Sequence, residues 1–218
     1  MNDIYIFYTK FSKELPKSIF ENYFMCLPNS LKEINQKYLR WQDRTSNLLG
    51  KILLLSGMKL LGLRYSLNDI KYNAFNKPYF NQTIDFSLTH SGEYVVCVLS
   101  FERRVGVDIE EIRAIHFDDF KDVLTREEMH NILGSRNPYS EFFELWTIKE
   151  SIAKADGRGL SLPLNKIVVS GDMSSYEGKE WHLHKLSIAD NYSTVVAYDR
   201  KMPSFTEKKF DCEEIISH

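Results

Sequence analysis

Two stretches decide how this chain of 218 residues is interpreted: Gly106-Val107-Asp108-Ile109-Glu110 and Trp146-Thr147-Ile148-Lys149-Glu150-Ser151-Ile152-Ala153-Lys154. In the first stretch the apolar residues Val107 and Ile109 alternate with the two acidic residues, which predicts a β-strand. Alternation places both carboxylates on one face of that strand, about 7 Å apart along the chain. Two negative charges at this spacing repel each other unless solvent or a bound cation compensates them.

The second stretch has the period of an α-helix with one apolar, buried face. Glu150 and Lys154 lie four residues apart on the opposite face. They form either a solvent-exposed ion pair, which adds little stability, or part of a cleft wall. Phe143 and Trp146 project to the same side, and two large aromatic residues favour the cleft.

Asp108 and Glu110 likewise allow two interpretations, an exposed strand face or a metal site. Carboxylates suit hard divalent cations such as Mg²⁺, and Glu150 is available as a third ligand. Gly106 belongs to the same face and carries no side chain, so we expect room there for a bulky ligand.

Composition narrows the class of partner. The chain has 28 basic and 30 acidic residues, so no global field attracts nucleic acid or an anionic membrane. The longest apolar run, residues 48–63, is interrupted by glycine, serine and lysine and predicts a buried helix rather than a membrane span. Three cysteines without metal-site spacing, and an amino terminus without a basic leader, predict reduced thiols and a cytoplasmic location.

The pattern along the chain predicts an α+β fold. Helices are predicted over residues 17–26, 29–39, 43–62, 117–134 and 139–156. Strands are predicted over residues 3–9, 84–90, 94–101, 105–110, 166–170, 181–188 and 193–199. A long helix followed by two strands occurs twice, over residues 46–99 and 142–198, which indicates two related halves. We place them at residues 1–103 and 104–218.

Several other polar residues are candidates for binding an anion. Lys77, Thr89 and His90 offer ammonium, hydroxyl and imidazole donors that suit phosphate oxygens, although His90 at a strand end is also compatible with a structural role. Lys32 and Arg44 belong to a basic stretch whose ordinary interpretation is an exposed helix face.

The segment after the second stretch predicts a helix end. Gly157 or Gly159 provides the left-handed cap, and Arg158 between them is a further candidate for an anion at the mouth of a cleft. Apolar residues between 117 and 124 suit either a docking face for a partner helix or an ordinary core stripe, and we favour the core.

Taken together, these segments resemble the 4′-phosphopantetheinyl transferases, specifically the larger surfactin-synthetase-activating type. The resemblance covers residues 39–198, and its two most specific motifs are the stretches quoted first, in the family's order. Asn76-Lys77-Pro78 and residues 86–92 match two further motifs. Asn76 stands where the family usually has glycine, and Thr89 where it usually has serine.

The resemblance implies a pseudo-dimer of two similar α/β halves with the active site between them. It implies an enzyme that moves 4′-phosphopantetheine from coenzyme A to a serine of an apo acyl or peptidyl carrier protein, releasing adenosine 3′,5′-bisphosphate. A monomer is expected. By the matching positions Mg²⁺, or alternatively Mn²⁺, would be held by Asp108, Glu110 and Glu150.

The resemblance also implies roles for the remaining candidates. Glu150 would accept the serine proton, and Lys154 would pair with the pyrophosphate of coenzyme A. The phosphates at the nucleotide end would be bound by Lys77, Thr89 and His90, with Arg44 and Lys32 as further candidates.

Two other functions stay open from the residues themselves. An acidic metal site would equally serve a hydrolase of coenzyme A or nucleotides, which needs no protein acceptor. A module that binds carrier protein or coenzyme A without turnover is the third possibility, and the retained Asp108, Glu110, Glu150 and Lys154 argue against it.

Overall fold

The computed structural model describes residues 3–200 and 203–217. Its α-helices are α1 (Lys17–Met25), α2 (Asn29–Gln36), α3 (Trp41–Leu60), α4 (Arg126–Gly134) and α5 (Pro138–Asp156). Its strands are β1 (Asp3–Lys10), β2 (Lys71–Tyr72), β3 (Pro78–Tyr79), β4 (Ile84–Ser91), β5 (Tyr94–Phe101), β6 (Val105–Glu111), β7 (Val168–Ser170), β8 (Met173–Tyr176), β9 (Lys179–Lys185), β10 (Tyr192–Tyr198) and β11 (Ser204–Asp211). Mixed helices and sheets confirm the predicted fold class.

The chain forms two compact units. Unit 1 comprises the described residues of Met1–Lys71, Pro78–Glu102 and Pro203–His218, and unit 2 comprises those of Tyr72–Lys77 and Arg103–Met202.

Unit 1 is built on a four-stranded sheet in the order β11-β1-β5-β4. The long helix α3 packs on this sheet, and its apolar face forms the core with alternate residues of β1 and β5. The closest approach is at Gly57, where an added Cβ would lie 2.5 Å from the ring of Phe7 and 3.0 Å from Leu99 Cδ1. A helix with a glycine at this point can therefore lie close to the sheet.

Unit 2 repeats this arrangement with a five-stranded antiparallel sheet in the order β6-β10-β9-β8-β7. Helix α5 packs on β6 and β10, and its apolar residues Ile148 and Ile152 share a core with Val195 and Trp181. In each unit a long helix precedes a pair of antiparallel strands along the chain, β4 and β5 after α3 and β9 and β10 after α5.

The two units differ from the predicted division at residues 103 and 104 in two segments. Strand β11 groups with unit 1 because it pairs in parallel with β1 along its whole length, from Ser204 to Asp211. Residues Tyr72–Lys77 group with unit 2, where the Asn73 side-chain amide donates to Gly157 O at 2.9 Å.

The single helix predicted over residues 117–134 is wrong. A short 3₁₀ turn covers Phe117–Phe120, and α4 begins after Thr125. The Thr125 hydroxyl accepts from Glu128 N and the Glu128 carboxylate accepts from Thr125 N, a capping box that starts a new helix. Leu124 is buried among Ile132, Phe142 and Phe143, with the aromatic residues of the turn packed against them, which confirms the core interpretation of this segment.

None of the helices in the described part of the chain is long and apolar enough to cross a membrane.

Candidate active site

Strand β6 and helix α5 meet at Gly106. A Cβ at this position would lie 2.1 Å from Ser151 O and 2.4 Å from Ala155 N, so the backbone of α5 fills the space above the glycine. The expectation of room for a ligand there is wrong. Gly106 instead lets the helix lie directly on the strand, which brings the face of β6 that carries Asp108 against the face of α5 that carries Lys154.

Asp108 and Lys154 form an ion pair between the two elements. Lys154 Nζ donates to Asp108 Oδ1 at 2.7 Å, and the Asp108 side chain is only 5% exposed. A buried carboxylate needs a counter-charge, and Lys154 provides it for Asp108. The interpretation of Lys154 as only a surface partner of Glu150 is therefore insufficient.

Glu150 lies one helical turn before Lys154 and is half-buried. Burial raises the pKa of the Glu150 carboxyl, and the negative charges of Asp108 and Glu110 raise it further against the opposing effect of Lys154. The negative charges of Asp108 and Glu110 on β6 therefore act on the Glu150 carboxyl of α5.

The donor set matches a hard divalent cation in its chemistry, since carboxylate oxygens are the ligands that Mg²⁺ prefers. Within residues 3–200 and 203–217, however, no group of three or more His, Cys, Asp or Glu side chains is arranged to hold a metal ion. Lys154 occupies one oxygen of Asp108 and supplies the positive charge at this place. The three carboxylates are thus the right kind of donor, without forming a closed set of ligands.

The aromatic residues of α5 have a different place from the one expected. Phe143 is buried in a small core with Phe142, Leu124 and Ile132 of α4. Trp146 is half-buried and packs against Phe120 with ring centroids 5.3 Å apart. The prediction that Phe143 forms a cleft wall beside Glu150 is wrong, because Phe143 packs into this apolar core instead.

Lys77 lies at the carboxyl end of α5. Its Nζ donates to Ala155 O in the last turn of α5 and to Val105 O of β6, both at 3.3 Å, so the ammonium joins the helix end, where a positive charge is favourable, to the strand. Asn76 before it has a positive φ of 63°, the left-handed conformation that asparagine tolerates and that the family's glycine would adopt without cost. A contact between Lys77 and phosphate stays a prediction.

Arg158 serves the fold rather than an open cleft. Its guanidinium donates to both oxygens of Asp156 and to Glu177, and it stacks on the ring of Tyr176 with its Cζ 5.0 Å from the centroid. Gly157 provides the left-handed cap of α5 with φ of 92°, as predicted.

The candidates for the nucleotide end are in unit 1. Thr89 and His90 are neighbours on β4, so their side chains point to opposite faces, and Thr89 is buried while His90 is exposed. Lys32 Nζ lies 5.7 Å from the ring centroid of Phe24, and the Arg44 guanidinium 5.2 Å from that of Phe20. Both cations therefore rest on aromatic residues of α1, and their role toward a ligand stays a prediction.

Sequence reasoning missed Lys149, which is completely buried. Its Nζ lies 2.8 Å from a carboxylate oxygen of Glu128 and donates to Leu164 O at 3.0 Å. Burial lowers the pKa of Lys149, against the opposing effect of Glu128. The sequence did contain a signal, since Lys149 lies on the apolar side of the helix. A lysine buried there needs a partner on another element.

A family model described as the 4′-phosphopantetheinyl transferase superfamily matches residues 104–197, which include β6 and all of α5. The chain is 32% identical to the 4′-phosphopantetheinyl transferase gsp of Aneurinibacillus migulanus over 74% of its own length and 69% of that protein. It is 30% identical to the transferase Sfp of Bacillus subtilis strain 168 over 63% of each chain. It is also 31% identical to the L-aminoadipate-semialdehyde dehydrogenase-phosphopantetheinyl transferase of Saccharomyces cerevisiae, over 65% of this chain and 56% of the relative.

The matched region is the one in which the two acidic motifs meet, so sequence kinship and side-chain geometry concern the same residues. With this match and a relative such as gsp, the chain belongs to the 4′-phosphopantetheinyl transferase superfamily, enzymes that transfer the 4′-phosphopantetheine group of coenzyme A to a serine of a carrier protein.

Proposed function

We propose that this chain carries out its family's transfer as a monomeric, cytoplasmic, Mg²⁺-dependent enzyme whose active site is built on β6 and α5. The observation that carries the proposal is the ion pair of Asp108 and Lys154, which joins the two acidic motifs at 2.7 Å, with Glu110 two residues further along β6 and Glu150 one turn before Lys154 on α5. Acyl and peptidyl carrier proteins are the proposed acceptors.

The three carboxylates are the proposed ligands of the cation. When bound, Mg²⁺ would neutralise negative charge on the pyrophosphate of coenzyme A, a large electrostatic contribution in phosphoryl transfers. Asp108 is buried and held in place by Lys154, so it offers a fixed oxygen, whereas Glu110 and Glu150 are half-buried and nearer to solvent.

Glu150 is the proposed base. In the reaction the carrier serine Oγ forms a bond to the phosphorus that carries pantetheine, and the bond from that phosphorus to the bridging oxygen breaks. The serine proton passes to the Glu150 carboxylate, directly or through water, and adenosine 3′,5′-bisphosphate leaves. Burial and neighbouring negative charges raise the pKa of Glu150, which makes it a stronger base than an exposed glutamate.

Lys154 has two possible anionic partners during this reaction. It pairs with Asp108 in the structure, and a pyrophosphate brought to the site would compete for the same ammonium. We propose that Lys154 stabilises the leaving bisphosphate, since an ammonium compensates the charge that develops on the departing oxygen. Lys77, Thr89 and His90, together with Arg44 and Lys32, are the proposed contacts for the phosphates at the nucleotide end.

The decisive experiment incubates the purified protein with coenzyme A, Mg²⁺ and a panel of apo acyl and peptidyl carrier proteins. Intact-protein mass spectrometry should show each accepted carrier gaining one phosphopantetheine group, with adenosine 3′,5′-bisphosphate released in equal amount. Chelation of the cation should abolish the gain, and Mn²⁺ should restore it in part or in full.

Three outcomes would contradict the proposal. Bisphosphate released without any carrier protein would indicate a hydrolase. A stable complex with an apo carrier protein but no mass gain would indicate a binding module. Modification that persists unchanged after complete chelation would exclude the proposed role of the cation.

A further inference from the structure

Lys149 and Glu128 form a buried connection in unit 2 that contacts no proposed substrate group. The Lys149 side chain is 0% exposed, and Nζ lies 2.8 Å from each Glu128 carboxylate oxygen and 3.0 Å from Leu164 O. These acceptors satisfy the donors of an ammonium that would otherwise be very costly to bury. One side chain of α5 is thereby tied both to α4 and to the segment that follows the helix.

Glu128 is itself fixed by a second set of bonds. Its carboxylate accepts from Thr125 N at 2.7 Å, and its own N–H donates to the Thr125 hydroxyl at 3.1 Å, so the acceptor of Lys149 is itself anchored at the start of α4. Lys149 is therefore bound by a carboxylate that belongs to the N-terminal capping box of α4.

The position of Lys149 determines where its neighbour Glu150 points. Successive residues of an α-helix are about 100° apart around the axis, so a helix that cannot rotate at Lys149 presents Glu150 in one direction. On the side facing the strand, Gly106 is packed against Ser151 O and Ala155 N. Contacts on two sides of α5 therefore fix both the distance from β6 and the rotation about the axis.

We propose that the Lys149–Glu128 pair is a positioning device that holds α5 in the rotation at which the helix face of Glu150 and Lys154 is directed toward β6, where Lys154 bonds to Asp108. The proposal rests on the proposed function, because it concerns the same three carboxylates. A small rotation of α5 would move the Glu150 oxygens relative to the two strand carboxylates, and supporting residues of metal sites typically change metal affinity by about 10–100-fold.

A purely structural role makes a different prediction. A buried ion pair replaced by neutral residues often leaves stability unchanged or higher, while removal of one partner alone is strongly destabilising. Stability of the single and double variants therefore does not reveal positioning. Cation affinity of the folded protein does, because only positioning connects this pair to Glu150.

The test uses Lys149→Met, Glu128→Gln and the double variant. Glutamine retains a side-chain oxygen for Thr125 N, so the helix cap survives while the charge is lost. The matched control is Lys185→Met, because Lys185 forms an exposed ion pair with Glu144 on the same helix, 56% and 44% exposed respectively. Mn²⁺ binding is measured by electron paramagnetic resonance without coenzyme A, alongside kcat, KM for coenzyme A and thermal unfolding.

We expect Lys149→Met and the double variant to lose about 10–100-fold in Mn²⁺ affinity and a similar factor in kcat. At saturating Mg²⁺ the KM for coenzyme A should stay within about threefold, since neither residue is a proposed contact of that substrate, and Lys185→Met should match the unaltered protein. The double variant is expected to regain thermal stability without regaining Mn²⁺ affinity. If Lys149→Met does not fold, Glu128→Gln and the double variant provide the same comparison.

Mn²⁺ affinity within twofold of the unaltered protein in the folded variants would overturn the inference and leave the proposed function standing. Recovery of both stability and Mn²⁺ affinity in the double variant would also overturn it. If the unaltered protein neither binds Mn²⁺ nor modifies any carrier protein, the proposed function and this inference fall together.

Discussion

Units 1 and 2 both pack a long helix on a sheet, but the residues at the contact between helix and sheet differ. The strand orders β1-β5-β4 and β6-β10-β9 correspond, with α3 and α5 as the packed helices. In unit 1 the glycine of the close contact, Gly57, is on the helix and receives the aromatic ring of Phe7. In unit 2 the glycine, Gly106, is on the strand and receives helix backbone.

The difference continues beyond the glycines. In unit 1 the helix and strands continue with apolar residues that fill one core. In unit 2 the apolar core includes Val195 of β10 and Ile152 of α5. The same layer of the unit also carries charged residues, Asp108 and Glu110 on β6 and Glu150 on α5. Because the backbone of α5 lies directly on Gly106, no side chain at this position holds the helix away from β6. The charged side chains of the strand and the helix are consequently brought together. The same architecture thus stabilises one unit and forms a charged site in the other.

Removing the carboxylate of Glu150 should have the largest effect on this contrast. Glu150→Gln retains the shape of the side chain but loses its negative charge and basicity. We expect kcat in the carrier-modification assay to fall by about 10²–10⁴-fold with little change in thermal unfolding. Glu144→Gln, at an exposed position of the same helix, is the control and should retain full activity. Activity of Glu150→Gln within threefold of normal would contradict both assigned roles.

The two glycines allow a direct comparison of backbone and side-chain obstacles. In Gly106→Ala the new methyl group meets Ser151 O and Ala155 N, which cannot move without shifting α5, so we expect a loss of about 3 kcal/mol or more. In Gly57→Ala it meets the side chain of Phe7 rather than backbone, and alanine favours the helix, so a smaller loss of about 1–2 kcal/mol is expected. Urea unfolding of both variants checks the order.

Activity sharpens the same comparison. Gly106→Ala moves α5 against Asp108 and should reduce kcat even in the folded fraction, whereas Gly57→Ala should leave kcat of the folded protein unchanged. Equal losses of stability and activity in the two variants would show that the units do not differ in the way proposed.

The sequence predicted the elements whose side chains alternate or repeat clearly, and it missed those decided by distant contacts. β6 and α5 follow from their own patterns. β11 was missed because most of its residues are exposed and only Phe210 is buried, so its pairing with β1 leaves little trace in composition. The capping box at Thr125 and Glu128 was legible in the sequence, but the apolar pattern over residues 117–134 obscured it.

The candidate site divides in the same manner. Asp108, Glu110, Glu150 and Lys154 were identified from their motifs, and the structure brings them together in one unit. The consequence of Gly106 could not be read from the strand alone, because an empty position looks the same whether a ligand or a helix fills it. Lys149 was missed for a related reason, since its partners Glu128 and Leu164 lie on other segments.

The end of α5 offers a test of electrostatics outside the site. Asp156 is 2% exposed in its side chain and accepts from Arg158 and Lys179. Burial alone would raise the pKa of Asp156, but these hydrogen bonds and charges outweigh it and hold the pKa below the ordinary 3.8. Asp156→Asn should cost about 1–2 kcal/mol at pH 7, a modest value because Arg158 and Lys179 are partly exposed.

The sign of the pH dependence follows from the lowered pKa. Stability contributed by the ionised carboxylate is fully present above the unfolded-state value of 3.8 and is lost as the pH falls through the lower folded-state pKa. The difference between Asp156→Asn and the unaltered protein should therefore be constant near neutral pH and shrink in acid. A difference between Asp156→Asn and the unaltered protein that does not change with pH would contradict the argument.

The smallest expected effect is a gain. Gly50 lies in the same helix as Gly57, but a Cβ there would meet Val95 Cγ1 at 3.7 Å and Leu88 Cδ1 at 3.8 Å, ordinary contact distances. Gly50→Ala should add about 0.5–1 kcal/mol, because alanine lowers the entropy of the unfolded chain and fills space without displacing a neighbour. Urea unfolding of Gly50→Ala beside Gly57→Ala would separate helix propensity from packing within α3. A loss of stability at Gly50 would mean that the side chains of Val95 and Leu88 cannot accommodate a methyl group, and that packing outweighs helix propensity at both glycines of α3.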